Sequence, residues 1–177
     1  MSWREEVLNF WFGLDPQRWW KADPAFDAAI RKRFEKLWTE QRQRMASDFL
    51  TTPEDALAAV VLFDQFPRNM FRGHADQFST DVLALAVASG AVDRGFDDRL
   101  TPVQRGILYM PFQHSERMDD QKRSLLLFTA LGEPRQLGFA KKHHDVIERF
   151  GRFPHRNAIL GRTPRPEEVE AGDVVPW

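Results

Sequence analysis

Apolar residues return along this chain at helical intervals almost throughout, with polar residues filling the positions between. Trp3, Val7, Leu8 and Trp11 recur at i, i+4, i+5 and i+8 behind Ser2 as a cap, and Gly13 supplies the stop. Asp23-Pro24 reads as cap and first turn of a long second helix, whose stripe is Phe26, Ile30, Phe34, Leu37 and Trp38. Thr52-Pro53 opens a third helix that is apolar nearly all round from Ala56 to Phe66, the pattern of a central buried helix. Pro67 biases Phe66 away from helical geometry, so that helix is expected to end there.

Further along, Thr80-Asp81 caps a fourth helix with Val82, Leu85, Ala86 and Ser89 on its stripe. Thr101-Pro102 starts a fifth through Val103, Ile107 and Met110, which Pro111 kinks or ends. Ser115-Glu116 begins a sixth helix, through Leu125 and Phe128 to Leu131, that Gly132 stops. Glu133-Pro134 begins a seventh with Phe139, His143, Val146 and Phe150 in one row. Pro154 is expected to open a short eighth helix through Leu160, ending at Gly161. No segment alternates apolar and polar residues as a strand does, so the expected fold is all-α, about eight helices in stacked antiparallel pairs. The layout resembles a helical-repeat bundle, although no fixed period is visible. One domain is expected over residues 1–163, with 164–177 a loosely attached tail rich in proline and acids.

Composition narrows the picture. The chain has 177 residues, which suits one core, and its 6 Trp and 15 Phe make that core aromatic. Its 25 basic and 26 acidic residues nearly cancel, which argues against a nonspecific nucleic-acid binder. Without cysteine there is no disulfide, thiol nucleophile or thiolate metal site. The start lacks a signal peptide's basic segment and cleavage site, and no apolar run approaches membrane-spanning length, so a cytoplasmic location is expected.

The candidate chemistry lies in two turns. Asp64 falls at i+7 from Leu57 on an apolar face, and a buried carboxylate needs a partner, which Arg68 or Arg72 can supply. Phe66-Pro67-Arg68-Asn69 through Gly73 is echoed by Phe153-Pro154-His155-Arg156-Asn157 through Gly161. If the two turns meet, Asp64, Arg68, Asn69 and Arg72 with Arg149, Arg152, His155, Arg156, Asn157 and Arg162 form an electropositive pocket. Its ligand would be a small phosphate- or carboxylate-bearing molecule or a peptide group. A helix opening at Pro154 would aim N–H groups at the same anion. His114 and Glu116 are the candidates for a general acid or base, in a hydrolase or transferase. Arginines beside helix ends also commonly satisfy orphan carbonyls or lock helices through a buried acid, so structural locks in a protein-interaction module stand as the alternative. No cofactor is indicated, since phosphate-loop and dinucleotide signatures are absent. No metal is indicated either, since only His144 and Glu148 have ligand spacing.

Val7-Leu8-Asn9-Phe10-Trp11-Phe12-Gly13, the run Asp64 to Gly73, Tyr109-Met110-Pro111-Phe112-Gln113-His114-Ser115-Glu116, and Arg149 to Arg162 together resemble a bacterial family. It is domain-of-unknown-function family nine-two-four. The resemblance reaches to about Arg162. It implies an all-helical fold grouped with tetratricopeptide-like repeats, and it brings no established activity and no catalytic residue.

Overall fold

The computed structural model describes all residues, Met1–Trp177, and contains helices and turns with no strand. Two compact units divide the chain, Met1–Leu108 and Tyr109–Trp177, where a single domain over 1–163 was expected. No helix is long and apolar enough to cross a membrane.

In the first unit, α1 (Trp3–Phe12) begins at a capping box, with Glu5 N–H on Ser2 Oγ at 3.3 Å and Ser2 N–H on Glu5 Oε2 at 2.7 Å. α2 (Pro24–Gln41) starts on Asp23, whose carboxylate accepts from Ala25 and Phe26, and buries Phe26, Ile30, Phe34 and Trp38. α3 (Pro53–Val60) follows its Thr52 cap and leads into a π-turn, Val61–Gln65, and then α4 (Phe66–Met70), so one rod runs through Pro67. α3 packs on α1 and on α5 (Asp81–Asp93), while α4 packs on α2. The core is aromatic: Phe66 lies 4.5 Å from Phe34 and 5.7 Å from Trp11 between ring centres, and Phe49 lies 5.2 Å from Phe63.

The helix expected to end before Pro67 does not, and the reason is visible. Proline lacks the N–H that would bond the carbonyl four residues back, and its ring crowds that carbonyl. The wider i→i+5 turn, with Phe66 N–H on Val61 O, makes room for the ring. The Phe63 carbonyl is then satisfied from outside the helix: Thr80 Oγ1 donates to it at 2.6 Å and itself accepts from Trp38 Nε1 at 3.1 Å. Thr80 was read as the cap of α5; its hydroxyl makes this bond instead, and no side-chain cap bond forms. The expected stripe of α5 is also corrected. Ala84, Val87, Ala88 and Ala91 are buried, and Val82 is 81% exposed, because this helix packs through its small residues.

α6 (Pro102–His114) runs through Pro111 rather than ending there. A proline removes one helical bond, and burial of Ile107 to Met110 and of Phe112 and Gln113 holds the turns on both sides. In the second unit, α7 (Met118–Leu131) and α8 (Pro134–Phe150) form a helical hairpin whose turn uses Gly132 at φ 78°. α7 begins at Met118, not at Ser115. The Ser115 hydroxyl donates to Asp120 at 2.7 Å and accepts from Arg117 N–H at 3.2 Å, turning the chain first.

The helix expected from Pro154 is a single 3-10 turn, Pro154–Arg156. The eighth rod, counting α3 to α4 as one, is instead α9 (Pro166–Ala171), in the stretch expected to hang loose. Ala171 and Val174 pack against Val146, Ile147, Phe150 and Phe153, and Pro176 is buried.

Candidate functional site

In the first unit, α4 and the turn after it carry Arg68 and Asn69, with Arg72 one helical turn beyond Arg68. Asp64 is fully buried in the π-turn; its Oδ2 accepts from Gln65 Nε2 at 2.6 Å, and its Oδ1 lies 3.3 Å from Arg68 Nη1. Arg68 forks onto Asp81, Nη1 on Oδ1 at 2.8 Å and Nη2 on Oδ2 at 2.9 Å, and also donates to the Asp64 carbonyl at 2.7 Å. One guanidinium thus ties α4 to the first turn of α5. Arg72 forks onto Asp27 of α2 at 2.6 and 3.0 Å, and Asn69 Nδ2 reaches the same carboxylate at 2.8 Å.

The second motif is braced in the same manner. Arg162 forks onto Glu116 at 2.8 and 3.0 Å and donates to the Phe153 carbonyl at 2.9 Å, while Phe153 N–H meets Glu116 Oε1 at 2.8 Å. Burial alone would raise the Glu116 carboxyl. The Arg162 fork, the Phe153 N–H and the charges of Arg156 and Arg162 outweigh it and hold the group below the ordinary carboxylate range. An ionised, hydrogen-bonded Glu116 accepts and does not donate.

Glu168 is the hub of this unit. It accepts Arg152 Nε at 2.6 Å and Nη2 at 2.8 Å, Asn157 Nδ2 at 2.9 Å and Arg165 N–H at 2.8 Å. The Arg152 bond is foremost in lowering its pKa, to about 2. Asn157 Oδ1 in turn accepts Arg162 Nε at 3.0 Å. The end of α6 is sealed from two sides. Gln121 Nε2 donates to the Gln113 and Ser115 carbonyls at 2.8 and 2.7 Å, and Arg156 Nη2 donates to the His114 carbonyl at 2.9 Å. A guanidinium suits the negative end of a helix. Arg149 stands apart from these braces, exposed and lying over the Phe150 ring.

Two of the chain's five histidines pack on Phe153, and a third lies beside one of them. His143 sits edge-on to Phe153 at 5.6 Å, His155 lies 5.7 Å away, and the Arg156 guanidinium covers its face at 4.6 Å. The His114 ring is 6.1 Å from that of His143. His143 Nδ1 lies 2.8 Å from the Phe139 carbonyl, which can only accept, so the proton is on Nδ1 and the lone pair on Nε2. Burial first, then the charges of His114, Arg156 and His155, push the His143 pKa down to about 3, against the pull of the Phe139 carbonyl. His143 is therefore neutral at physiological pH.

An open cavity of about 560 Å³ lies beside the second motif, with Pro154, His155 and Asn157 on one wall and Glu168, Val169 and Val175 on the other. Its lining includes Asp173 and no lysine or arginine. For a cation, the available donor set is His144, Asp145 and Glu148, whose ligand atoms lie within 4.8 Å of one another on α8; both acids are exposed.

The sequence reading missed Asp27 and Glu168 as acid partners and Gln121 as a cap. Glu168 was marked by Arg165-Pro166-Glu167-Glu168, a proline in the first turn followed by acids, which is a helix start. Asp27 had no such mark, since an acid in the first turn of α2 looks like an ordinary partner of the helix dipole.

The fold and the two braced turns define an all-helical protein whose signature residues lie at its helix junctions. The chain belongs to the family of bacterial proteins of unknown function DUF924, whose model matches residues 7–171. It is similar to a solved protein of unknown function, ATU0120 from Agrobacterium tumefaciens, with 39% identity, 95% of each chain covered and a TM-score of 0.89. No curated protein matches it.

Proposed function

We propose that this protein is a helical interaction module of the tetratricopeptide-like kind, in which the Arg–Asn motifs brace the helices and do not themselves bind a ligand. One observation carries the reading: Arg68, Arg72, Arg152 and Arg162 each close a two-pronged fork on a carboxylate of their own unit. A guanidinium held this way is charge-neutralised, so an incoming anion would have to compete with a carboxylate already in place. Asp64 behind Arg68 is fully buried and would be left beside an unfilled space if that arginine were removed.

Thermal melting of Arg68→Ala tests this, with and without phosphate and small carboxylates at low and high salt. Stripping the partner from a buried carboxylate costs about 3 kcal/mol, which lowers the melting temperature of a chain this size by roughly 10 °C. The expected result is that early melting, with wild-type stability indifferent to the anions. An anion that stabilises the wild type but not a still-folded Arg68→Ala overturns the brace reading.

A second reading is favoured at one place only. His155 and Arg156 pack on Phe153, with His143 beside it and His114 behind His143, and this grouping of a guanidinium with imidazoles suits a compact phosphate or carboxylate. In that reading His155→Ala abolishes the anion's stabilising effect while Arg68→Ala retains it. Of the two acid–base candidates, Glu116 is an ionised brace and does not serve as a proton donor.

A further inference from the structure

His144, Asp145 and Glu148 stand together on α8 and take no part in the braces. A histidine and a glutamate four residues apart share a helix face, which is the spacing of a chelating pair. Asp145 closes on the same point. Its Oδ1 lies 3.4 Å from His144 Nδ1, and one ligand atom from each of the three residues lies within 4.8 Å of the other two. Zinc sits about 2.0–2.2 Å from nitrogen and carboxylate ligands, so two donors on a tetrahedral ion stand about 3.4 Å apart. The imidazole–carboxylate pair already has that separation. The His144 side chain is 16% exposed and is held by its surroundings, whereas Asp145 at 74% and exposed Glu148 are free to turn towards an ion.

Two further observations separate this cluster from an ordinary solvated face. Neither Asp145 nor Glu148 is paired with an arginine or a lysine, although cations flank them along the helix. Lys142 lies over the Phe139 ring at 5.5 Å and Arg149 over the Phe150 ring at 4.7 Å, and Lys141, at ion-pair spacing before Asp145, makes no bridge to it. The imidazole, for its part, is not taken up by the backbone. His74 and Asp76 make a similar pair at 3.5 Å, but there Nδ1 accepts the Asp76 N–H at 3.2 Å and serves as a helix cap. His144 Nδ1 has the Asp145 carboxylate before it and no backbone N–H.

We propose that His144, Asp145 and Glu148 bind a divalent ion of the zinc class, through one imidazole nitrogen and two carboxylate oxygens, with water in the open position. An imidazole in the donor set suits zinc, nickel or copper, whereas carboxylates by themselves suit magnesium or calcium. Calcium takes about six to eight oxygens and magnesium an octahedron of them, which this set does not supply. Three protein ligands with water as the fourth is the pattern of zinc sites that keep a position open for chemistry. The site is independent of the interaction-module reading, which stands or falls on the melting of Arg68→Ala.

The test titrates zinc, with magnesium and calcium in parallel, into the full chain by calorimetry, and uses imidazole and amide NMR to place the ion. The expected result is saturable zinc binding, shifts centred on the His144 ring and the amides of 144–148, and no response to magnesium or calcium at the same concentrations. Asp145→Asn, Glu148→Gln and His144→Ala are each expected to weaken zinc by at least about tenfold, while His74→Ala leaves it unchanged. His144 is half-buried, so the two exposed acid variants decide the matter if His144→Ala melts early. Zinc affinity unaltered in the acid variants, shifts centred on another histidine, magnesium bound as tightly as zinc, or no zinc binding up to about 1 mM overturns the site.

Discussion

His143 illustrates how one side chain carries both a structural and a titration consequence. Its Nδ1–H is committed to the Phe139 carbonyl, and its ring is buried beside Phe153 and within reach of the charge of Arg156. The folded pKa, about 3, lies below the ordinary imidazole value of 6.5, so between those values the unfolded chain binds a proton that the folded chain refuses. Stability from this group is therefore complete above the unfolded pKa and declines as pH falls from 6.5 towards 3. His143→Leu removes that dependence. Urea midpoints measured across this window are expected to fall less steeply with acid in the variant than in the wild type; parallel curves would show that the imidazole contributes nothing to acid sensitivity. The carbonyl left behind retains its helical donor, because Phe139 O bonds along α8 whatever residue stands at 143.

Among the helices, the most informative is the rod through Pro67. Thr80 replaces the hydrogen bond that proline cannot make, so Thr80→Val, nearly isosteric, orphans both the Phe63 carbonyl and the Trp38 indole N–H in a buried setting. The expected loss is about 2 to 3 kcal/mol by chemical denaturation, with Thr80→Ser restoring most of it. Equal stability of Val and Ser at this position would show that the Phe63 carbonyl needs no donor.

The same rod marks the limit of what could be read from residue order. Helix starts at Asp23-Pro24, Thr52-Pro53 and Glu133-Pro134 were legible because cap and proline are adjacent in the chain. The row of His143, Val146 and Phe150 was legible because a single period governs it. Passage through Pro67 was not, since the compensating hydroxyl comes from seventeen residues away. The buried face of α5 was not legible either. There alanines allow close approach, and a side chain at Gly90 would stand 2.5 Å from Leu50 Cδ1, so size and burial part company. At the motifs the arginines and asparagines announced themselves as clusters, while the acids that receive them lie on other elements, in positions with ordinary local explanations.

Taken as a molecule with a net charge of −1, the chain keeps its arginines from forming a basic surface by giving the principal ones an acid inside each unit. Glu168 shows what this implies for motion. Arg152, Asn157 and Arg165 all converge on that one carboxylate, so the turn at 152–157 and α9 share a fastening and are expected to open together. In hydrogen exchange, protected amides of Arg156 and Asn157 and those of α9 are expected to report one common opening free energy; separate values would mean the two segments loosen independently. Whatever pulls on residues 173–177 pulls on α9, and through Glu168 on the arginine turn. The far end of the chain therefore acts as a lever on its signature motif.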